Sequence, residues 1–289
     1  MKICDLHTHS NYSDGSLPPV ELVRMAENKG LSALALTDHN TAAGLPEFMK
    51  AGESSKVITV AGCEFSTEYT LCADDGESRV QELHIVGLFF DESVWGSVEE
   101  YVSEHMKNKK ISNQNMIKRL QDAGYDITYD EVSAITDAGE FNRAHIARIL
   151  CRKGYIERPA DAFEELLKEG CGFYIPPKRP DVFETIKFIK KNGAVSVLAH
   201  PFLELSVDEL RCFLRAAKPA GLDAIETNYS KFDDEMIKQA CAIAGEMELA
   251  RSGGSDFHGD AKPDVEMGTG RGSLEVPFDY YEDLRSIIT

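Results

Sequence analysis

Nearly every short apolar run in this chain ends in a histidine or a carboxylate, and stretches of helical period separate those runs. "KICDLH" reads as a first strand, and two prolines then open "PPVELVRMAENKG", a helix stopped by Gly30. "LSALALTDH" is a buried strand ending in Asp38 and His39, and "TAAGLPEFMKAG" is the helix after it. "VITVAGCEF" is a third strand ending at Glu64, and "ELHIVGLFF" a fourth that contains His84. The rhythm resumes later with "DVFETIKFIKKNG" as helix, "AVSVLAHP" as strand, "SVDELRCFLRAAKPAG" as helix and "LDAIETNY" as strand. "DDEMIKQACAIAGEM" is a last helix, before the short strand and loop "LARSGGSDFHG". Such alternation predicts βα units around a mainly parallel sheet. Residues 94–172 interrupt it with helical stretches and no apparent strand, which predicts a small all-helical insertion between 1–93 and 173–289 of an α/β domain.

In α/β folds, ligand sites form where parallel strands end, so residues distant in sequence converge there. Collecting the strand-end groups gives His7, His9, Asp14, Asp38, His39, Glu64, His84, His200, Asp256 and His258. Six of the eight histidines fall in this set, whereas chance placement would scatter them over helices and loops. His7 and His9, at i and i+2 on a strand, face the same way, and paired imidazoles suit a metal ion better than a hydrophobic core. A lone histidine beside a strand is as often a hydrogen-bonded core residue, so the weight rests on the set. Asp38 reads as a carboxylate that orients a ligand imidazole. His105, in a polar helical stretch, reads as solvated.

The formal charge of −18 denies the chain the basic footprint that duplex nucleic acid requires. It leaves anionic small substrates open, because bound cations reverse the field locally. The seven cysteines are dispersed with no C-x-x-C pair, which suggests reduced thiols and a cytoplasmic protein. Candidate site residues begin by Asp5, so no cleaved leader is expected, and no apolar run approaches the ~18–20 residues of a membrane span.

The segments "DLHTHSNYSDG", "LTDHN", "GCEFS", "ELHIVG", "LAHP" and "GSDFHG" together resemble the PHP family, named for polymerases and histidinol phosphatases, and stand in that family's order. The resemblance spans the chain apart from the helical insertion. It implies an α/β fold in the form of a distorted seven-stranded (β/α) barrel, with three divalent metal ions: manganese, zinc or iron. Carried onto this sequence, one ion is held by His7, His9, Glu64 and Asp256. A second shares Glu64 and adds His84 and His200, and a third takes Asp14, His39 and His258. The family often has histidine where this chain has Asp14. Ligand softness alone does not choose the metal. Closely spaced metals lower the pKa of a bridging water and clamp the oxygens of an in-line phosphoryl displacement. Phosphoester hydrolysis by a metal-bridging hydroxide is therefore the expected reaction, with Glu64 and Asp256 in the catalytic machinery.

Within the family the likeness is to stand-alone nucleotide phosphatases and a related 5′→3′ exoribonuclease, whose helical insertion carries R-x-H-I-A, matched here by "NRAHIAR". It implies that Arg143 contacts substrate phosphate, for which a guanidinium is well suited. It also implies that His145 sits at the mouth of the site, where it or a metal-bound water supplies the leaving group's proton. The implied substrates are AMP, 3′,5′-nucleoside bisphosphates or short RNA ends. The acidic "ADDGES", in what reads as a hairpin extension, tilts the expectation towards mononucleotides. Asn228 and Arg271 are further candidate substrate contacts, with Lys262 beside Arg271, and Lys178 and Arg179 after them. "GTGRG" (268–272) reads as a turn rather than a phosphate loop, since no helix start or Gly-Lys-Ser/Thr follows. The competing readings are the exoribonuclease on short RNA, a histidinol-phosphate phosphatase, an inactive metal-binding PHP module, and a hydrolase of the amidohydrolase type. The insertion disfavours the second, the filled ligand positions the third, and Glu64 at the bridging position the fourth.

Overall fold

The computed structural model describes residues 2–72, 78–135, 141, 143–168 and 170–288. In chain order the elements are β1 (Cys4–Asp5), α1 (Pro19–Asn28), β2 (Ala33–Leu36), α2 (Leu45–Gly52), β3 (Ile58–Cys72), β4 (Ser78–Leu88), α3 (Trp95–Asp122), α4 (Tyr129–Ser133), α5 (Arg143–Arg152) and α6 (Pro159–Glu165). They continue with α7 (Val182–Lys191), β5 (Val195–Leu198), α8 (Val207–Ala220), β6 (Ala224–Tyr229), α9 (Asp234–Glu246), β7 (Ala250–Gly254) and α10 (Phe278–Ser286). The chain divides into two compact units, Met1–Glu99 with Pro180–Thr289, and Glu100–Arg179. No helix among the described residues is long and apolar enough to cross a membrane.

In the first unit the seven strands stand side by side in sequence order. Strands β1 to β3 are parallel neighbours, as are β5 to β7. Strand β4 is antiparallel to both β3 and β5. Past the ends of β1 and β7 the chain keeps pairing: Leu6 N donates to Gly253 O, Asp256 N to His7 O and His9 N to Phe257 O. These bonds bring the first strand to the last, and the sheet curls into a nearly closed seven-stranded barrel of α/β type. The third strand does not stop at Glu64, as its apolar run suggests. It continues to Cys72 and pairs with β4 from Gly62↔Leu88 to Cys72↔Ser78. Period-two alternation holds it there: Phe65, Thr67 and Leu71 are buried, and Tyr69 packs edge-on against Phe183 of α7 and Phe213 of α8. The acidic centre 73–77 lies outside the described residues.

Alternate strand residues share one apolar cluster, with Cys4 and Leu6, Ala33 and Ala35, Val86 and Leu88, and Val195 and Val197. Leu274, Val276 and the α10 residues Phe278, Tyr280 and Leu284 complete it. Glu64 lies on the same face of β3 as Val60, and His84 on the same face of β4 as Val86. One face of the sheet is thus apolar at one end and histidine- and carboxylate-bearing at the other.

The second unit has a core of its own, from Met116 and Leu120 of α3, Val132 of α4, Ile146 and Leu150 of α5 and Ala162 of α6. His105 is buried here rather than solvated: its Nδ1 donates to Lys178 O at 3.1 Å. Two turns further along α3, Ser112 donates to Ile175 O. The stretch looked polar because its buried seam is built of hydrogen-bonding side chains.

Closure of the barrel depends on a residue without a side chain. A Cβ on Gly254 would stand 2.4 Å from His7 Cβ and 2.5 Å from His7 N. Gly254→Ala is therefore expected to force β7 off β1 and lower the free energy of unfolding by about 1–3 kcal/mol. The urea midpoint measures this, and an unchanged midpoint would contradict the close approach.

Candidate metal centre

The geometry centres on the carboxylate of Glu64, which is 1 % exposed. Its Oε2 lies 3.1 Å from His7 Nε2, 3.2 Å from His9 Nε2 and 3.1 Å from His39 Nδ1. Its Oε1 lies 2.8 Å from His84 Nδ1 and 3.1 Å from His200 Nε2. Asp256 stands across from it, with Oδ1 3.4 Å from His9 Nε2 and 3.3 Å from His258 Nδ1. Asp14 Oδ1 is 3.1 Å from His258 Nε2 and 3.9 Å from both His9 Nδ1 and His39 Nε2. All nine residues named for metal in the sequence therefore come together in one unit.

Three sets have ligand atoms within 4.8 Å of one another: His9, Asp14, His39 and His258; His7, His9 and Asp256; and His39, Glu64 and His84. His9 and His39 each belong to two sets. His200 joins through Glu64 rather than through a set of its own.

The donors fit metal ions. His7 Nε2, both nitrogens of His9, His39 Nδ1, Glu64 Oε2 and His200 Nδ1 are buried without a hydrogen-bond partner. Leaving that many polar atoms unsatisfied is costly unless a cation is shared among them. Burial alone would raise the three carboxyls. Against it, His39 and His7 hold Glu64 well below the carboxylate range, His258 and His39 do so for Asp14, and Lys262 and His258 for Asp256. Burial also opposes protonation of His9 and His84. Asp256 and Glu64 nevertheless lift His9 to about 9, and Glu64 with Glu82 lifts His84 to about 10. For His39 burial wins, and the imidazole falls to about 3, which keeps it neutral with a lone pair available. The result is a buried cluster in which ionised carboxylates and imidazoles hold one another's charge states.

Strand geometry aims the donors. His200 (φ 30°) and Asp256 (φ 56°) adopt the left-handed conformation just beyond β5 and β7. For such residues that conformation costs about 1–3 kcal/mol unless the surroundings enforce it. Asp256 Oδ2 is held by Lys262 Nζ at 2.6 Å and by the Tyr229 hydroxyl at 2.8 Å. Glu226, buried on β6, accepts from His7 Nδ1 at 2.8 Å and from His200 N at 2.6 Å. Asp5 accepts from Ser255 N and Gly268 N, both at 2.8 Å, tying β1 to the loop after β7 and to the turn at 268. Asp38 does not orient an imidazole: it accepts from Ser10 N, Ser10 Oγ and Ser13 Oγ, and so shapes the loop that delivers Asp14.

Two candidate substrate residues of the first unit do not join the cluster. The Asn228 side chain donates to Glu275 O at 2.8 Å and accepts from Tyr280 OH at 3.2 Å. A bulge between Glu226 and Asn228 breaks the period-two register, so the inward acid is Glu226. Its signal was a lone acid in a buried strand. Arg271, half-exposed, pairs with Asp264 at 2.5 Å. The segment around 268–272 is a succession of turns, as its glycines suggest. Arg143 and His145 both lie on α5 of the helical unit. The Arg143 guanidinium sits 4.2 Å from the Tyr174 ring centroid and donates to Leu167 O, and His145 is buried.

A family model described as the PHP domain matches residues 5–176. The chain is 32% identical over 255 residues to a 5′-3′ exoribonuclease of Haemophilus influenzae, spanning 88% of this chain and 89% of that one. It is 28% identical over 273 residues to a 3′,5′-nucleoside bisphosphate phosphatase of Chromobacterium violaceum, spanning 91% and 90%. A crystal structure from Bifidobacterium adolescentis, assigned as a metal-dependent phosphoesterase, superposes with a TM-score of 0.82 at 28% identity, over 99% of this chain and 96% of that one. The matched span, the relatives that cover almost the whole chain and the shared barrel leave one conclusion: this chain belongs to the PHP family.

Proposed function

We propose that the protein is a metal-dependent phosphoesterase that hydrolyses nucleotide phosphomonoesters, with AMP and 3′,5′-nucleoside bisphosphates as the substrate class. The observation that carries this reading is the Glu64 carboxylate set among five imidazoles, several of them with buried, unpartnered nitrogens. Bound divalent ions would supply a nucleophile at neutral pH and a clamp for phosphoryl oxygens. In this reading His7, His9 and Asp256 would hold one ion, His84 and His200 another, and Glu64 lies between the two groups. Asp14, His39 and His258 hold a third.

The chain's own residues do the rest. Glu64 keeps its charge under the surrounding imidazoles and presents one oxygen to each side of the centre. Asp256 turns Oδ1 inwards because Lys262 and Tyr229 occupy Oδ2. Lys262 also sets a cation, about one-third exposed, at the edge of the cluster, where it can meet an incoming phosphate. The nucleoside bisphosphate phosphatase of C. violaceum supports the mononucleotide reading. The exoribonuclease of H. influenzae supports a second reading, removal of nucleotides from the 5′ end of short RNA.

Phosphate release by protein reconstituted with manganese, zinc or iron tests both readings on AMP, 3′,5′-bisphosphoadenosine and a 5′-phosphorylated short RNA. Asp256→Ala is expected to abolish turnover and metal loading together; metal-loaded but inactive protein would argue against its place among the ligands. Lys262→Met is expected to raise KM about tenfold through the lost charged contact to phosphate and, because it frees Asp256 Oδ2, to weaken metal loading as well. An unchanged KM would remove that role.

A further inference from the structure

Both oxygens of Glu226 are in use. Oε2 faces the backbone N–H of His200 at 2.6 Å, a group that can only donate. Oε1 faces His7 Nδ1 at 2.8 Å, and both side chains are almost wholly buried. On the far side of the same ring, His7 Nε2 points at Glu64 Oε2 at 3.1 Å and makes no hydrogen bond. A proton on Nδ1 satisfies Glu226 and leaves a lone pair on Nε2 facing a carboxylate oxygen, which is repulsive unless a cation lies between them.

Resting on the metal reading above, we propose that Glu226 is a positioning residue that fixes the tautomer of His7. It keeps the proton on Nδ1 and turns the Nε2 lone pair to the metal, while the same carboxylate steadies the left-handed backbone of His200. One buried acid on β6 thereby sets a ligand from just after β1 and a ligand from just after β5. Carboxylates behind metal-bound imidazoles are worth 10–100-fold in metal affinity or activity.

The near-isosteric substitution discriminates this role from simple packing. Glutamine offers one oxygen and one NH2. The His200 N–H keeps the oxygen, so the amide NH2 faces His7 Nδ1 and drives the proton to Nε2, where it blocks the lone pair. Alanine imposes neither tautomer. Zinc affinity, measured by competition with a chromophoric chelator, is expected to fall in the order wild type, Glu226→Ala, Glu226→Gln, the last by about 10–100-fold. If Glu226 only filled space, glutamine would be the milder change. NMR of zinc-saturated, 15N-histidine-labelled protein reads the His7 proton in the metal-bound state: Nδ1–H is expected in the wild type and is expected to be lost in Glu226→Gln. Thermal unfolding of each variant verifies folding. Nδ1–H in folded Glu226→Gln, or tighter zinc binding by glutamine than by alanine, overturns the assignment alone. Failure of the wild type to bind zinc, manganese or iron overturns the metal reading and this assignment together.

Discussion

One carboxylate, Glu64, governs the architecture of the site. A buried anion is tolerated only with compensating charge, and five imidazoles around it provide for that. The imidazoles arrive from the segment after β1, from beyond the ends of β2 and β5, and from β4. Glu64 sits where β3 leaves its parallel neighbour β2 and continues into the hairpin with β4, and its backbone is gripped on that parallel side by Asp38 O and Asn40 N. The two carboxylate oxygens divide the histidines into two groups, and that division fits more than one cation around a single acid.

The scaffold around this carboxylate is stiff where the donors leave it. Asp5, Asp38, Glu226 and Tyr229 each connect a strand end to the segment beside it through buried hydrogen bonds, so the imidazole positions are set before any ligand arrives. Left-handed backbone at His200 turns a donor inwards at a point where a continuing strand, with Val195, Val197 and Ala199 on its inward face, would have turned it away. Preorganisation of this kind concentrates affinity in the site, because little ordering is left to oppose binding.

Much of this was legible in the sequence, and the reason is local. The metal-type residues sit at the ends of apolar runs, and six short segments in family order placed nine of them. What escaped depended on register and on partners far away in sequence. Asn228 falls at the right end of the barrel, yet a bulge between Glu226 and Asn228 shifts its register, and Glu226 is the side chain of β6 that faces the cluster. The apolar run of β3 ends near Glu64, but cross-strand pairing with β4 carries the strand on to Cys72. Helical period alone gives no sign that His105 lies on a buried seam. Asp5 reads as one more polar residue in "CDLH" until its partners, 250 and 263 positions away, are in place.

That separation along the chain has a consequence for synthesis. Strand β1 is closed against β7, and donors at both positions 7 and 256 face the same carboxylate. A growing polypeptide therefore carries the first histidines without the partners that complete their surroundings until Asp256 has been added. The helical unit, whose apolar cluster spans residues 116–174, has no such wait. Long-range closure is slow compared with local packing. The donor set around Glu64 is accordingly complete only once β7 and the Asp256 that follows it have been made and closed against the first strand.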